Sequence, residues 1–208
     1  MNKELARKLL EIQAVTIKSP EDLFTWASGI KSPIYCDNRL TMSYPKVRDL
    51  IAEGFNDLIL EKYADAEVLV GTATAGIPHA AWTAQKMNLP MAYVRSSAKE
   101  HGKGNQIEGI VKSGQKVVVI EDLLSTGGSS MKAVKALQDI GAEVLGVVAI
   151  FTYGFSKVDD VFNKEKIPYE TLTSYSVLLP IAIEMGYIKE EEKDLLEKWS
   201  KEPYIFTK

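Results

Sequence analysis

Residues 117–130 read Val-Val-Val-Ile-Glu-Asp-Leu-Leu-Ser-Thr-Gly-Gly-Ser-Ser and bring three kinds of chemistry into one stretch. The four β-branched residues predict a buried strand. Glu121 and Asp122 follow at its carboxyl end, where open α/β sheets place their ligands. Neighbouring strand residues point to opposite faces, so the two carboxylates need not share one task. Ser125-Thr126-Gly127-Gly128-Ser129 then opens a helix. Two glycines let the backbone turn tightly and come close to a ligand. The freed amides, the hydroxyls and the helix N-terminus together suit a phosphate. A Walker loop would end in Gly-Lys-Ser/Thr and a dinucleotide loop would read Gly-x-Gly-x-x-Gly, and neither is present here. Carboxylates ahead of a phosphate loop suit a phosphorylated sugar, because they accept hydrogen bonds from vicinal hydroxyls. Taken without the loop, Glu121-Asp122 would read as a solvated turn.

Two further segments have suitable chemistry. Residues 95–109 contain three glycines and little apolar content, which predicts a mobile loop. Arg95, Lys99, His101 and Lys103 give it a basic excess on an acidic chain. Such a loop could close over a pyrophosphate and offset charge on a departing group; by composition alone it is equally a solvated hairpin. Gly71-Thr72-Ala73-Thr74-Ala75-Gly76 lies between a predicted strand and a predicted helix and has the character of a second anion loop. His79 falls inside that helix and reads as structural. Cys36 has no evident activating partner and reads as packing.

The elements that must hold these segments alternate. Leu5, Ala6, Leu9, Leu10 and Ile12 predict an amphipathic helix over 3–14. Residues 18–44, rich in Pro, Gly and aromatics, predict short strands and turns. Pro45 suits a first helical turn, and Val47, Leu50, Ile51, Phe55 and Leu58 carry the helix to about Lys62. Short apolar runs at 68–70, 91–94, 117–120 and 144–151 predict strands buried on both faces, as in a parallel sheet. Helices are expected at 77–87 and from Met131 to Ile140, the latter closed by Gly141. Residues 155–200 are expected to be mostly helical, with a short strand near 169–172. The pattern is βαβ and the fold class α/β, in a single domain over 1–208: a helix and hood over about 1–44, an α/β core over about 45–175, and a helical part over about 176–208.

Bulk composition excludes several classes. The chain has 208 residues, 46% of them apolar and 25% charged, as in an ordinary globular protein. A net charge of −3 gives no general pull toward nucleic acid or anionic membrane, so an anionic ligand needs a local cluster. One cysteine suits a reducing compartment. No apolar run is long enough to span a membrane, and the N-terminus lacks a signal-peptide pattern, so cytoplasm is the expected location.

Residues 117–130 resemble the signature of the type I phosphoribosyltransferases at every position. Arg95 with Ala-Lys-Glu-His-Gly resembles the catalytic loop of the orotate phosphoribosyltransferases. Ser28-Gly29-Ile30-Lys31-Ser32-Pro33, between Phe24 and Arg39, resembles their N-terminal hood motif, and the replacements are most similar to Gram-positive-type bacterial forms. The resemblance implies the type I phosphoribosyltransferase fold: a mainly parallel sheet flanked by helices, with a small N-terminal hood. It implies transfer of the phosphoribosyl group of phosphoribosyl pyrophosphate (PRPP) to orotate, giving orotidine 5′-monophosphate and pyrophosphate in pyrimidine synthesis. Lys99, His101 and Asp122 would be catalytic. Arg95, Lys99, His101, Glu121, Asp122, Leu123, Leu124 and residues Ser125, Thr126, Gly127, Gly128 and Ser129 would bind PRPP, with Thr74 and Ala75 on the diphosphate. Ser125 and Lys31 would contact orotate. Magnesium would ride on the diphosphate, without a protein metal site. A homodimer with shared active sites is implied, with no nucleic-acid or membrane partner. Ser96 and Ala27 stand where many members carry Lys. A purine-base phosphoribosyltransferase and a PRPP-sensing regulator are the alternatives, the first opposed by the hood motif and the second by the acidic balance and lack of spare length.

Overall fold

Alternate residues of the central strands feed two different cores, which shows that the sheet is covered on both faces. Val68, Val70, Val117 and Val119 pack into one buried cluster, and Leu69, Val118 and Ile120 into the other. The computed structural model describes residues 1–26, 29–96 and 106–207. After helix Asn2–Glu11 (α1) come four short strands, Val15–Ile17 (β1), Phe24–Thr25 (β2), Lys31–Ser32 (β3) and Ile34–Cys36 (β4). They pair antiparallel, β1 with β4 and β2 with β3, and form the hood. A 3-10 helix, Asn38–Ser43, leads into Pro45–Lys62 (α2), with Pro45 in the first turn as its fixed φ favours.

The remaining strands are Val68–Thr72 (β5), Met91–Val94 (β6), Ile107–Glu108 (β7), Lys116–Leu124 (β8), Glu143–Thr152 (β9) and Tyr169–Ser174 (β10). Among the described residues they make one six-stranded sheet, in the order β10-β9-β8-β5-β6-β7. Every pairing is parallel except β6 with β7. The helices between them are Gly76–Met87 (α3), Gly128–Asp139 (α4) and Ser156–Glu165 (α5), followed by Tyr175–Glu184 (α6) and Lys193–Lys201 (α7). No helix among the described residues is long and apolar enough to cross a membrane.

Three boundaries differ from the sequence expectation. Strand β8 runs to Leu124 instead of ending at Ile120, with Leu123 opposite Phe151 and Leu124 opposite Thr152. The polar pair Glu121-Asp122 stays in the strand because the fold supplies buried partners for it. One of the turns expected over 18–44 tightens into a 3-10 helix at 38–43; its start is capped by the Asp37 carboxylate, which accepts from the Arg39 N–H. Helix α1, grouped by sequence with the hood, packs on α6 and β10 and belongs to the cover of the core.

Candidate active site

Strand β5 leads through α3 to β6 on one side of the sheet, and β8 leads through α4 to β9 on the other. The strand order therefore reverses between β5 and β8, and a crevice opens outside their carboxyl ends. Thr72 ends β5, and its hydroxyl donates to the Glu121 carboxylate on β8 at 2.6 Å. Glu121 also accepts from the Ser130 hydroxyl at 2.9 Å and from the Asp122 N–H at 3.1 Å. It is buried, which a carboxylate tolerates only when donors fill its lone pairs. Glu121, expected on a sugar hydroxyl, here also clasps the end of β5 to the first turn of α4.

Asp122 points to the other face and is half-buried. Its carbonyl accepts from the buried Asn38 side-chain amide at 2.6 Å. Thr41 donates to the Asn38 carbonyl and lies 3.3 Å from Nε2 of the buried His79, so α3, the 3-10 turn and β8 are tied together. Burial, followed by the neighbouring Glu121 charge, pushes the Asp122 carboxyl up to about 7. Arg39 opposes that shift while forking onto Asp37 at 2.6 and 2.8 Å. Burial lowers His79 to about 4, so its ring is neutral and structural at neutral pH. Burial raises the Cys36 thiol well above its usual range, which agrees with packing rather than nucleophilic work.

Two helix N-termini face the crevice, and neither α3 nor α4 has a side-chain cap. The first-turn N–H groups of α4 ahead of Met131 are therefore open to anions, whereas at α3 the Ile77 N–H donates to the Thr74 carbonyl and Pro78 has no N–H, so that entrance offers fewer. Gly127 precedes α4 at φ +75, and a Cβ there would lie 2.8 Å from the Phe162 ring. Gly76 begins α3 so close to β8 that a Cβ would meet the Ile120 carbonyl at 2.4 Å and the Thr72 hydroxyl at 2.6 Å. Gly76→Ala should therefore destabilise the protein by about 2–3 kcal/mol and weaken phosphate binding, since backbone must move. Gly128→Ala, with no neighbour within 4 Å of its Cβ, should change stability by less than about 0.5 kcal/mol. Urea unfolding of both variants checks the contrast, and equal midpoints would refute the close-approach argument.

The other expected site residues come from several segments. Ser125 is half-buried, and Thr126 and Ser129 are exposed along the loop into α4. Leu124 is fully buried and Leu123 packs against the core, so they support the loop from below. Thr74 is exposed and Ala75 buried at the entrance to α3. Arg95 and Gln106 exchange hydrogen bonds at 2.9 and 2.8 Å, and both line a cavity of about 180 Å³ with Thr72, Ser129 and Lys132. Lys99, His101, Lys103, Ala27 and Ser28 lie outside the described residues. Lys31 is exposed on the hood, with its ammonium donating to the Thr25 hydroxyl at 2.7 Å.

Aromatic packing fixes the hood over the crevice. Trp26 lies 4.9 Å from Tyr153 and 5.9 Å from Trp199 between ring centroids. Trp199 is fully buried and its indole N–H donates to the Lys31 carbonyl at 3.2 Å. Tyr35 is exposed and packs on Phe24. Sequence reasoning placed Thr72 in an anion loop but did not foresee its bond to Glu121, and it gave no individual role to Ser130 or Asn38.

A family model for the phosphoribosyl transferase domain matches residues 41–177. A protein of Staphylococcus haemolyticus named orotate phosphoribosyltransferase is 58% identical over 199 residues, covering 96% of this chain and 98% of its own. The crystal structure of orotate phosphoribosyltransferase from Aeropyrum pernix has a TM-score of 0.77 at 25% identity, over 88% of this chain and 99% of that one. The Mycobacterium tuberculosis orotate phosphoribosyltransferase in complex with 5-phospho-alpha-D-ribosyl 1-diphosphate has a TM-score of 0.64 at 26% identity, over 85% of this chain and 98% of that one.

Proposed function

The chain belongs to the phosphoribosyltransferase family, as one of its orotate phosphoribosyltransferases, and we propose that the residues gathered at the β5/β8 crevice carry the transfer. The bond from the ribose anomeric carbon to the diphosphate oxygen breaks, its electron pair leaves with the diphosphate, a ring nitrogen of orotate bonds to that carbon, and the proton of that nitrogen is released, to the departing diphosphate or to solvent. The observation that carries this reading is the Glu121 clasp. It sets two uncapped helix N-termini side by side, with the half-buried Asp122 between hood and sheet.

In this reading Ser125, Thr126, Gly127, Gly128 and Ser129 hold the ribose 5-phosphate, and the α3 entrance at Thr74 and Ala75 meets the diphosphate. Asp122 accepts from the ribose hydroxyls and favours positive charge developing at the sugar carbon. Glu121 acts at the same ribose through the Thr72 and Ser130 geometry that it maintains. Arg95, with Lys99 and His101 of the adjoining segment, offsets the leaving charge, and Lys99 and His101 handle protons at the departing oxygens. No group of three or more His, Cys, Asp or Glu able to hold a metal occurs among the described residues. The open phosphate-binding amides fit a magnesium ion carried by the diphosphate, where it would neutralise part of that charge. A homodimer with the segment 97–105 reaching the neighbouring site completes the proposal. A cytoplasmic location is supported by the single cysteine, which suits a reducing compartment.

The test is incubation with PRPP, magnesium and a panel of orotate, uracil, adenine, guanine and hypoxanthine. Orotate should disappear with equimolar pyrophosphate release. Consumption of a purine instead, or of no base, would overturn the assignment.

A further inference from the structure

Orotate carries a carboxylate that uracil lacks, and on a chain of net charge −3 its recognition calls for local cations. Lys31, the hood lysine expected on orotate, donates to the Thr25 hydroxyl and is not among the residues that line the cavity beside the phosphate loop. A different pair of lysines is placed to do so. A cavity of about 470 Å³ lies between hood, phosphate loop and C-terminal segment. That volume is in the range of small-molecule pockets. Ser125 and Thr126 line it, so it opens onto the phosphate loop, while Trp26 and Phe155 offer apolar surface to a planar ring. Its cations are Lys157, in the first turn of α5, and Lys201, the last residue of α7. Neither makes an ion pair among the described residues.

The scaffold under these lysines is fixed. Trp199, two residues before Lys201, is buried against Trp26 and Phe155 at ring-centroid distances of 5.9 and 5.3 Å. Its indole donates to the Lys31 carbonyl, and the Lys31 N–H donates to the Thr207 hydroxyl at 3.0 Å. The C-terminal segment is therefore bonded to the hood on both sides of Lys201. We infer that Lys157 and Lys201 bind the carboxylate of the acceptor base and set the preference for orotate over uncharged pyrimidines, with the C-terminal segment completing the acceptor pocket. The inference rests on the orotate reading above and names the residues that would make the base choice.

Lys157→Gln, Lys201→Gln and the double variant test it by steady-state kinetics. Each single change should raise the orotate KM about tenfold, the loss of one charge-assisted contact, and the double change more. The PRPP KM should stay within about twofold, and the preference for orotate over uracil should fall by the same factor as the orotate KM rises. Lys157→Arg should retain most of the orotate affinity, which a purely structural role for the stem would not require. Thermal unfolding should be unchanged, because both side chains are exposed. An unaltered orotate KM in the double variant overturns the inference. So does an equal rise in the PRPP KM, which would place the lysines on the ribose 5-phosphate. A wild-type protein that does not use orotate would bring down the underlying reading as well, and the unsubstituted control identifies that case.

Discussion

Asp122→Asn is expected to lower kcat by about 10²- to 10³-fold, the range for removing one preorganised electrostatic contact to a developing charge. The carboxylate is half-buried, where low local polarity strengthens its interaction with a positive sugar carbon. Asparagine keeps the shape and the backbone bond from Asn38 but removes the charge. The pH dependence separates charge from shape. Burial and the Glu121 charge raise Asp122 to about 7 in the free protein, so kcat/KM for PRPP should rise with pH through that value. The same limb should be missing in Asp122→Asn, where only substrate ionisation remains. The stability effect has the opposite sign. A folded-state value raised above the ordinary aspartate 3.8 means a contribution fully present below that pH and lost as pH rises through about 7. The variant should therefore unfold no earlier than wild type at pH 8, and relatively later than it does at pH 4. Unchanged turnover, or a limb that survives the substitution, would remove Asp122 from the chemistry.

What could be read from residue order was local. The β-branched run 117–120 makes a strand wherever it is buried on both faces, and Pro45 starts α2 because its φ is already helical. Gly127 sits before α4 because the chain there takes a left-handed turn, at φ +75. These depend on neighbours a few residues away. The clasp does not. Glu121 meets Thr72 across 49 positions, and only the parallel register of β5 on β8 brings them together. From the sequence the donors around Glu121 were not visible, so its structural ties to Thr72 and Ser130 could not be named. Serine and threonine are too common for any one to be singled out as a partner in advance.

The hood shows the same limit more strongly. Trp26, Tyr153, Phe155 and Trp199 come from three distant segments and meet in one aromatic cluster. The stretch over about 176–208 reads as a C-terminal helical part, yet its Trp199 and Thr207 carry the hydrogen bonds that hold β3. A mostly helical stretch over 155–200 does not say what its buried side chains will cover. Lys157 and Lys201 went unnoticed for that reason: each is one charge among many until α5 and α7 turn their ends toward the same cavity.

Lys99→Ala should lower kcat by about 10²- to 10⁴-fold, the span for loss of a proton-handling group at the leaving oxygens. Thermal unfolding should be unaffected, because Lys99 stands in a polar, glycine-rich stretch of the sequence, away from the core residue Ile107. Its stem is well placed for the role. Arg95 and Gln106 pin the two ends together, and the cavity they line also contains Thr72 and Ser129 of the two phosphate loops. Whether Lys99 serves its own site or its neighbour's is decided by mixing. Lys99→Ala subunits and Asp122→Asn subunits are each nearly inactive. If the loop crosses between subunits, a heterodimer has one site with both groups intact and one with neither. Equal mixing with free exchange then restores about a quarter of wild-type activity, since half the dimers are mixed and each holds one good site. If each loop serves its own subunit, every site lacks one group and activity stays at the level of the separate variants. Exchange must be shown independently, for example with mass-tagged subunits, and recovery absent despite exchange would refute the shared site.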